Sequence, residues 1–101
     1  MMKALRTLML PVKREYFEQI EAKTKTEEYR EMSPYWIKRL EGKHYDQVVI
    51  TLGYPAKDDS ERRLVFPYHG FNRKVITHKE FGPAPKEVFA IPLKQQQLCL
   101  F

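Results

Sequence analysis

The chain has one cysteine, Cys99, so it cannot form a disulfide bond within itself. Such a chain fits a reducing compartment, and we expect a cytoplasmic protein. No apolar run approaches the roughly 20 residues that a membrane-spanning helix requires, so we expect no membrane partner. Residues 1–12 lack the apolar segment and small-residue cleavage site of a signal peptide, and we assign them to the fold.

The sequence also lacks the patterns that hold metals and common cofactors. His44, His69 and His78 share no metal-ligand spacing, and Asp58 and Asp59 stand without the further ligands of a calcium loop. There is no phosphate-binding loop, no dinucleotide glycine pattern and no nucleophile elbow. We therefore expect neither a metal nor a cofactor.

What the chain does have is enough apolar side chains for one modest core. It has 101 residues, of which 43% are hydrophobic and 13% aromatic, and this is too apolar for a disordered chain. We expect one domain over residues 1–101, with a core over about 5–93 and a C-terminal tail at 94–101. The net charge of +5 is spread evenly. It is compatible with a nucleic-acid partner but does not demonstrate one.

Two short helices are predicted in the first half of the chain. Residues 13–22 place Tyr16 and Ile20 on one apolar face. Residues 33–42 begin at a capping residue, Ser33, which is followed by a proline, and they end at a glycine. The remaining periodic segments predict strands.

Six segments predict strands because they alternate in polarity or are rich in β-branched and aromatic residues. The most apolar of them, 48–52, is expected to be the central buried strand. In the last one, Phe89, Ile91 and Leu93 are expected on the inner face. The pattern favours an α+β fold: a small mixed, partly closed β-barrel of five to six strands with two short helices. The predicted strands are 5–12, 25–30, 48–52, 63–68, 74–78 and 87–93.

A charged group follows the first helix. Alternation along the next strand puts Glu28 and Arg30 on one face, and Lys25 lies where the loop enters that strand. The three side chains can converge to bind an anion, hold a polar base edge or transfer a proton. The same residues also fit a surface strand with salt bridges, which pattern alone favours.

A second group combines aromatic and basic residues. Tyr35 and Lys38 have the composition of surfaces that stack bases and contact phosphates. Trp36, the only tryptophan, shares that pattern, but the apolar stripe of its helix favours the core. Tyr54 follows a buried strand and is expected in a cleft. Arg63 begins a strand, where it either reaches phosphate or solvates an edge.

The motif Lys25-x-x-Glu28-x-Arg30, placed between helix and strand, resembles the signature of the ASCH domain family, Gly-x-Lys-x-x-Glu-x-Arg. Lys23 stands where that signature has glycine. Segments similar to small stand-alone bacterial and phage ASCH proteins extend over most of residues 5–93. The resemblance implies a PUA-like β-barrel with the motif lining a cleft beside it.

The resemblance also implies a function, the binding of RNA or another nucleic acid in that cleft. Some members of the family are enzymes. Small relatives remove the acyl group from N4-acetylcytidine with the motif lysine and a threonine at the position of Glu28, and others cleave RNA. Glu80 is the nearest counterpart of a later catalytic glutamate in the deacylases.

Three classes of function stay open. We favour a module that binds RNA or a nucleotide-like ligand. The first alternative is a small hydrolase acting on N4-acylated cytidine or on RNA, with Lys25 and Glu28 as its catalytic candidates. The second is a protein–protein adaptor whose charges are structural, and the sequence does not determine the oligomeric state. The expected nucleic-acid-binding residues are Lys25, Glu28, Arg30, Tyr35, Lys38, Tyr54 and Arg63.

Overall fold

The computed structural model describes residues 4–55 and 59–94. It shows a mixed α+β architecture in which two helices accompany six strands, and the strands form two three-stranded sheets. Short 3₁₀ turns precede the fourth and the last strand. In chain order the elements are β1 (Thr7–Val12), α1 (Arg14–Glu21), β2 (Glu27–Glu31), α2 (Pro34–Leu40), β3 (Gln47–Leu52), a 3₁₀ turn (Ser60–Arg62), β4 (Arg63–Pro67), β5 (Asn72–Ile76), a 3₁₀ turn (Lys79–Phe81) and β6 (Lys86–Pro92).

The first sheet is ordered β1-β3-β4. Its central strand, β3, runs parallel to β1 and antiparallel to β4. Parallel neighbours need a long crossover, and the segment from α1 to α2 supplies it. Val48 and Ile50 of β3 have no exposed surface. The prediction that residues 48–52 form a central buried strand is therefore confirmed.

The second sheet is antiparallel and ordered β2-β6-β5. Residues 88–91 of the central strand are buried without interruption, so both faces of β6 are covered. Alternation predicted Phe89 and Ile91 on an inner face, and both are buried there. On the other face an ion pair of 2.8 Å between Lys74 of β5 and Glu27 of β2 joins the two edge strands.

The core lies where α1 and the two sheets meet. Tyr16, Phe17 and Ile20 supply the buried face of α1, because residues three and four apart share one side of a helix. One continuous apolar cluster joins this face to both sheets. Its buried members are Leu8, Leu10, Val12, Tyr16, Phe17, Ile20, Leu40, Val48, Ile50, Phe66, Phe89, Ile91 and Leu93.

Helix α2 begins as its sequence predicts. The Ser33 hydroxyl accepts the backbone N–H of Trp36 at 3.4 Å, and Pro34 occupies the first helical position. Both features satisfy or remove N–H groups that a helix leaves unpaired at its start. Gly42, just beyond the end, has φ +70°, a conformation that glycine adopts without steric cost.

The observed strands differ from the predicted ranges by one or two residues at their ends, and at two of these ends a hydrogen bond explains the difference. β2 begins two residues late because the N–H of Lys25 still bonds to the Gln19 carbonyl at the end of α1. β5 ends before the predicted segment 74–78 does. There the side chain of His78 accepts the N–H of Glu80 at 3.1 Å and so starts a 3₁₀ turn in place of extended chain.

The strands do not close into a barrel, because no backbone pairing joins the two sheets within the described ranges. The six strands and two helices were predicted, but a partly closed barrel is not found. Part of the reason lies in β1, where Pro11 has no N–H to donate to a further strand. Its carbonyl oxygen accepts instead from a side chain, Arg30.

No helix in the described part of the chain is long and apolar enough to cross a membrane. Three features of the sequence analysis lie outside the described residues: Cys99, Asp58 and the tail beyond Lys94.

The turn between α1 and β2 contains an unusual backbone conformation. Lys23 has φ +66° and is the one non-glycine residue of the described chain with positive φ. This is the position at which the ASCH signature has glycine. The left-handed conformation costs an L-residue free energy that glycine avoids.

We expect Lys23→Gly to raise the free energy of unfolding by about 0.5–1 kcal/mol, because relief of the left-handed conformation exceeds the added freedom of the unfolded chain. Urea denaturation measures the change. Ala22→Gly is the matched control, since Ala22 has ordinary helical dihedrals and its replacement should lower stability. If Lys23→Gly lowers the free energy of unfolding as much as Ala22→Gly does, the expectation is contradicted.

Candidate functional site

A cleft of about 700 Å³ opens beside the junction of the two sheets. The end of β1, the start of α1 and all but the first residue of β2 form its walls, and the segments after β3 and β5 complete the rim. Charged and aromatic side chains dominate this lining. The cleft is lined by Pro11, Val12, Lys13, Arg14, Tyr16, Lys25, Glu28, Tyr29, Arg30, Glu31, Trp36, Leu52, Gly53, Tyr54, His78, Glu80 and Phe81.

The carboxylate of Glu28 lies between two cations. It is 7% exposed and is the one charged residue classed as buried in the described chain. Its Oε2 lies 3.1 Å from Arg30 Nη2 and its Oε1 lies 3.5 Å from Lys25 Nζ. A carboxylate removed from water needs such partners, because its desolvation penalty amounts to several kcal/mol. The three side chains therefore act as one electrostatic unit.

Arg30 connects this unit to the first sheet. Its Nη2 also donates to the carbonyl oxygen of Pro11 at 2.8 Å, which links β2 to the end of β1. The guanidinium carbon lies 5.1 Å from the centroid of the Trp36 ring. Its Nε is buried and has no hydrogen-bond partner among the described residues. Arg30 is thus held by the Pro11 carbonyl, the Glu28 carboxylate and the Trp36 ring, while its buried Nε–H lacks an acceptor within the described residues.

Lys25 is held by aromatic rings as well as by charge. Its Nζ lies 4.5 Å from the ring centroid of Tyr29 and 5.6 Å from that of Tyr16. The side chain is only 12% exposed, yet within the described ranges Nζ donates no hydrogen bond. An ammonium group has three N–H donors. The free donors are therefore available to an acceptor in the cleft.

Glu80 lies on the opposite rim, in the 3₁₀ turn after β5. It accepts from Lys13 Nζ at 2.9 Å and from the Tyr16 hydroxyl at 3.0 Å. These donors hold the pKa of the Glu80 carboxyl below its ordinary value, Lys13 having the larger effect. Burial, together with the Glu80 carboxylate, raises the pKa of Tyr16 to about 12. Tyr16 consequently stays a neutral phenol that donates to Glu80.

The charges around the cleft are nearly balanced. Four cationic side chains and three carboxylates line it, so the chain's excess of positive charge is not concentrated there. A ligand bound in the cleft would meet donors and acceptors side by side. Aromatic rings add flat apolar surface, and the most accessible aromatic residue is Tyr54, which is 92% exposed.

The structure brings together four of the seven expected nucleic-acid-binding residues. Lys25, Glu28, Arg30 and Tyr54 line the same cleft. The register of β2 is as predicted, since Glu28 and Arg30 contact each other on one face. Trp36, which we assigned to the core, packs against the core and also lines the cleft.

The other three expected residues lie outside the cleft. Tyr35 and Lys38 are on the exposed side of α2. Arg63 is half-buried at the start of β4, where Nη2 donates to the Pro55 carbonyl oxygen at 3.3 Å. The contact ties β4 to the segment that follows β3, so Arg63 has a structural role there.

Sequence reasoning missed the two tyrosines whose rings lie beside Lys25 in the site. Tyr16 was assigned to the apolar face of α1, and its hydroxyl, which reaches Glu80, gave no separate signal. Tyr29 was placed in the alternating strand. Its burial, and to a smaller extent its hydrogen bond to Glu27, raises its pKa. A tyrosine at a predicted core position beside charged residues is the signal that marks such a site, because a buried hydroxyl needs a polar partner.

Comparison with models of protein families, with curated proteins and with solved structures finds no match to this chain. Within residues 4–55 and 59–94 no three histidine, cysteine or acidic side chains lie close enough to hold a metal ion. The geometry of the cleft therefore carries the functional argument.

We expect Glu28→Gln to lower the free energy of unfolding by about 2–4 kcal/mol, because it leaves two cations in a largely buried site without their shared carboxylate. Urea denaturation measures this. Glu18→Gln is the control, since Glu18 forms an exposed pair with Arg14 at 3.7 Å, and its loss should cost less than about 0.5 kcal/mol. Unchanged stability in Glu28→Gln would show that the unit does not support the fold.

We expect Glu80→Gln to lower the pKa of Tyr16 from about 12 while leaving it above the ordinary value of about 10, because burial remains. Carbon NMR of the tyrosine rings during a pH titration measures the change, and Tyr29, which Glu80 does not influence, is the internal control. Because the folded state holds this phenolic proton more tightly, the associated stability is complete below pH about 10 and is lost towards pH 12. If the pKa of Tyr16 is unchanged in Glu80→Gln, the hydrogen bond between Tyr16 and Glu80 is contradicted.

Proposed function

We propose that this chain is a single-domain ASCH-type protein with a PUA-like arrangement of its sheets, and that its cleft binds RNA or a nucleotide-like ligand. The observation that carries the proposal is the Lys25–Glu28–Arg30 unit, which stands in a cleft walled by aromatic rings. The ASCH signature is carried by these same three residues, so the resemblance and the geometry support one site.

The size and chemistry of the cleft suit a nucleotide. Ligand pockets of about 300–1,000 Å³ hold small molecules of this class. The flat rings of Trp36 and Tyr54 offer stacking surfaces for a base, which is how proteins commonly hold unpaired bases. Lys25 supplies free donors to a carbonyl or phosphate oxygen, and Glu28 retains lone pairs that accept from an amino group.

The hydrolase is the second candidate, and one observation favours it. Glu80, the nearest candidate for the deacylases' later glutamate, lies in the same cleft as Lys25, and Tyr16 contacts both. Against it, Glu28 replaces the threonine of the deacylases and both its oxygens face cations. We therefore expect little or no release of acetate from N4-acetylcytidine. Robust turnover that Lys25→Ala abolishes would reverse the order of the two candidates.

We expect Lys25→Ala and Arg30→Ala each to weaken RNA binding by about 1–2 kcal/mol, because each removes a charged donor from the cleft. Trp36 is the only tryptophan and lines the cleft, so its fluorescence reports binding of a short single-stranded RNA directly. Higher salt should weaken binding in the wild type, because phosphate contacts release counterions.

Arg6→Ala is the matched control for the loss of one positive charge. Arg6 is exposed and lies before β1, at the end of that strand opposite to the cleft. Circular dichroism checks that each variant is folded. If the affinities of Lys25→Ala and Arg30→Ala equal those of the wild type and Arg6→Ala, the cleft does not bind RNA and the adaptor becomes the better explanation.

A further inference from the structure

The exposed side of α2 carries an aromatic and basic surface next to the cleft. Tyr35 is 56% exposed, and Lys38 and Arg39 are exposed on the same short helix. We call Tyr35, Lys38 and Arg39 the α2 surface. It lies outside the cleft lining, so the function proposed for the cleft does not account for it.

A continuous series of ring contacts joins the α2 surface to the cleft. The Arg30 guanidinium carbon lies 5.1 Å from the Trp36 ring centroid. The Trp36 and Tyr35 rings meet edge to face with centroids 5.1 Å apart. The Arg39 guanidinium carbon then lies 4.4 Å from the Tyr35 centroid. Cation, ring, ring and cation thus follow one another from inside the cleft to the protein surface.

The cations of the α2 surface differ from those on the opposite rim. There Lys13 pairs with Glu80 at 2.9 Å, and beside the rim Lys79 pairs with Glu15 at 2.8 Å. Lys38 and Arg39 form no ion pair with any carboxylate of residues 4–55 and 59–94. Their charge is therefore not neutralised within the described chain, and it complements a negatively charged partner.

We propose that the α2 surface binds the nucleotide adjacent to the one held in the cleft, so that the ligand is a single-stranded RNA and not a free nucleotide. This rests on the function proposed for the cleft. The neighbouring base stacks on Tyr35, and the phosphate that joins the two nucleotides contacts Arg39 or Lys38. Exposed aromatic rings beside unpaired cations are the usual components of surfaces that bind single-stranded nucleic acid.

The same geometry indicates that the RNA ligand is single-stranded. Trp36 faces the cleft and Tyr35 faces outward, so two adjacent bases must separate to reach them. Bases in a duplex are stacked and paired and present only their edges, whereas unpaired bases can be splayed apart. An acidic protein would complement the charge of Lys38 and Arg39 but would leave the exposed ring of Tyr35 unused.

The test compares two probes on the intact protein: a fluorescein-labelled, random-sequence RNA octamer, followed by anisotropy, and the four nucleoside 5′-monophosphates, followed by Trp36 fluorescence. We expect the octamer to bind at least tenfold more tightly than the best monophosphate. Tyr35→Ala should weaken octamer binding about tenfold, in line with the loss of one stacked base, and should change monophosphate binding less than about twofold.

Two controls separate stacking from general effects of charge and folding. Arg6→Ala removes a charge elsewhere and should leave octamer binding within about twofold, whereas Arg39→Ala should weaken it about fivefold. Tyr35→Phe keeps the ring and should restore wild-type affinity. An RNA duplex of defined sequence with the same label should bind at least tenfold more weakly than the single-stranded octamer.

The outcomes distinguish this inference from the function proposed for the cleft. If monophosphates bind and Lys25→Ala weakens them, while Tyr35→Ala leaves the octamer unaffected, the α2 surface is overturned and the cleft stands. If neither the octamer nor any monophosphate binds, the function proposed for the cleft and the role proposed for the α2 surface are both overturned. If poly-glutamate of equal charge displaces the octamer as well as unlabelled octamer does, the surface recognises charge alone and the inference is wrong.

Discussion

The geometry of the cleft depends on the burial of the Glu28 carboxylate. A charge removed from water is tolerated only when compensating charges and hydrogen bonds surround it, and Lys25 and Arg30 supply them. Arg30 then extends the arrangement to the Pro11 carbonyl of the neighbouring sheet. A single buried carboxylate thereby holds the side chains of Lys25 and Arg30 in the wall of the cleft. Through Arg30 it also supports a contact between the two sheets.

The two rims of the cleft are built from different interactions. On one rim Glu80, Lys13 and Tyr16 satisfy one another, so that rim is polar but internally paired. On the other rim the ring of Trp36 contacts that of Tyr35, beside which Lys38 and Arg39 form no ion pair with the carboxylates of the described residues. A ligand therefore meets fixed polar groups on one side and stacking surface on the other, which suits a molecule with a flat base and a charged backbone.

Three energetically unfavourable features are concentrated in the short stretch from the end of α1 through β2. Lys23 has a left-handed backbone, Glu28 is buried, and Arg30 Nε has no partner within the described chain. Unfavourable conformations and unsatisfied groups persist where the surrounding structure holds them in place, and they cluster at functional sites. They lie at or within two residues of Lys25, Glu28 and Arg30, on which the proposed site rests, and this supports the choice of this stretch as the site.

The sequence by itself determined the local features. Alternation put Glu28 and Arg30 on one face of β2, and the serine–proline pair set the start of α2, because both depend only on neighbouring residues. The tertiary structure decided which distant residues meet. Glu80 and Tyr16 are separated by 64 residues, and their contact follows from how the segment after β5 packs on α1. The separation of the strands into two sheets was decided in the same way, because strand pairing depends on long-range contacts that local periodicity does not encode.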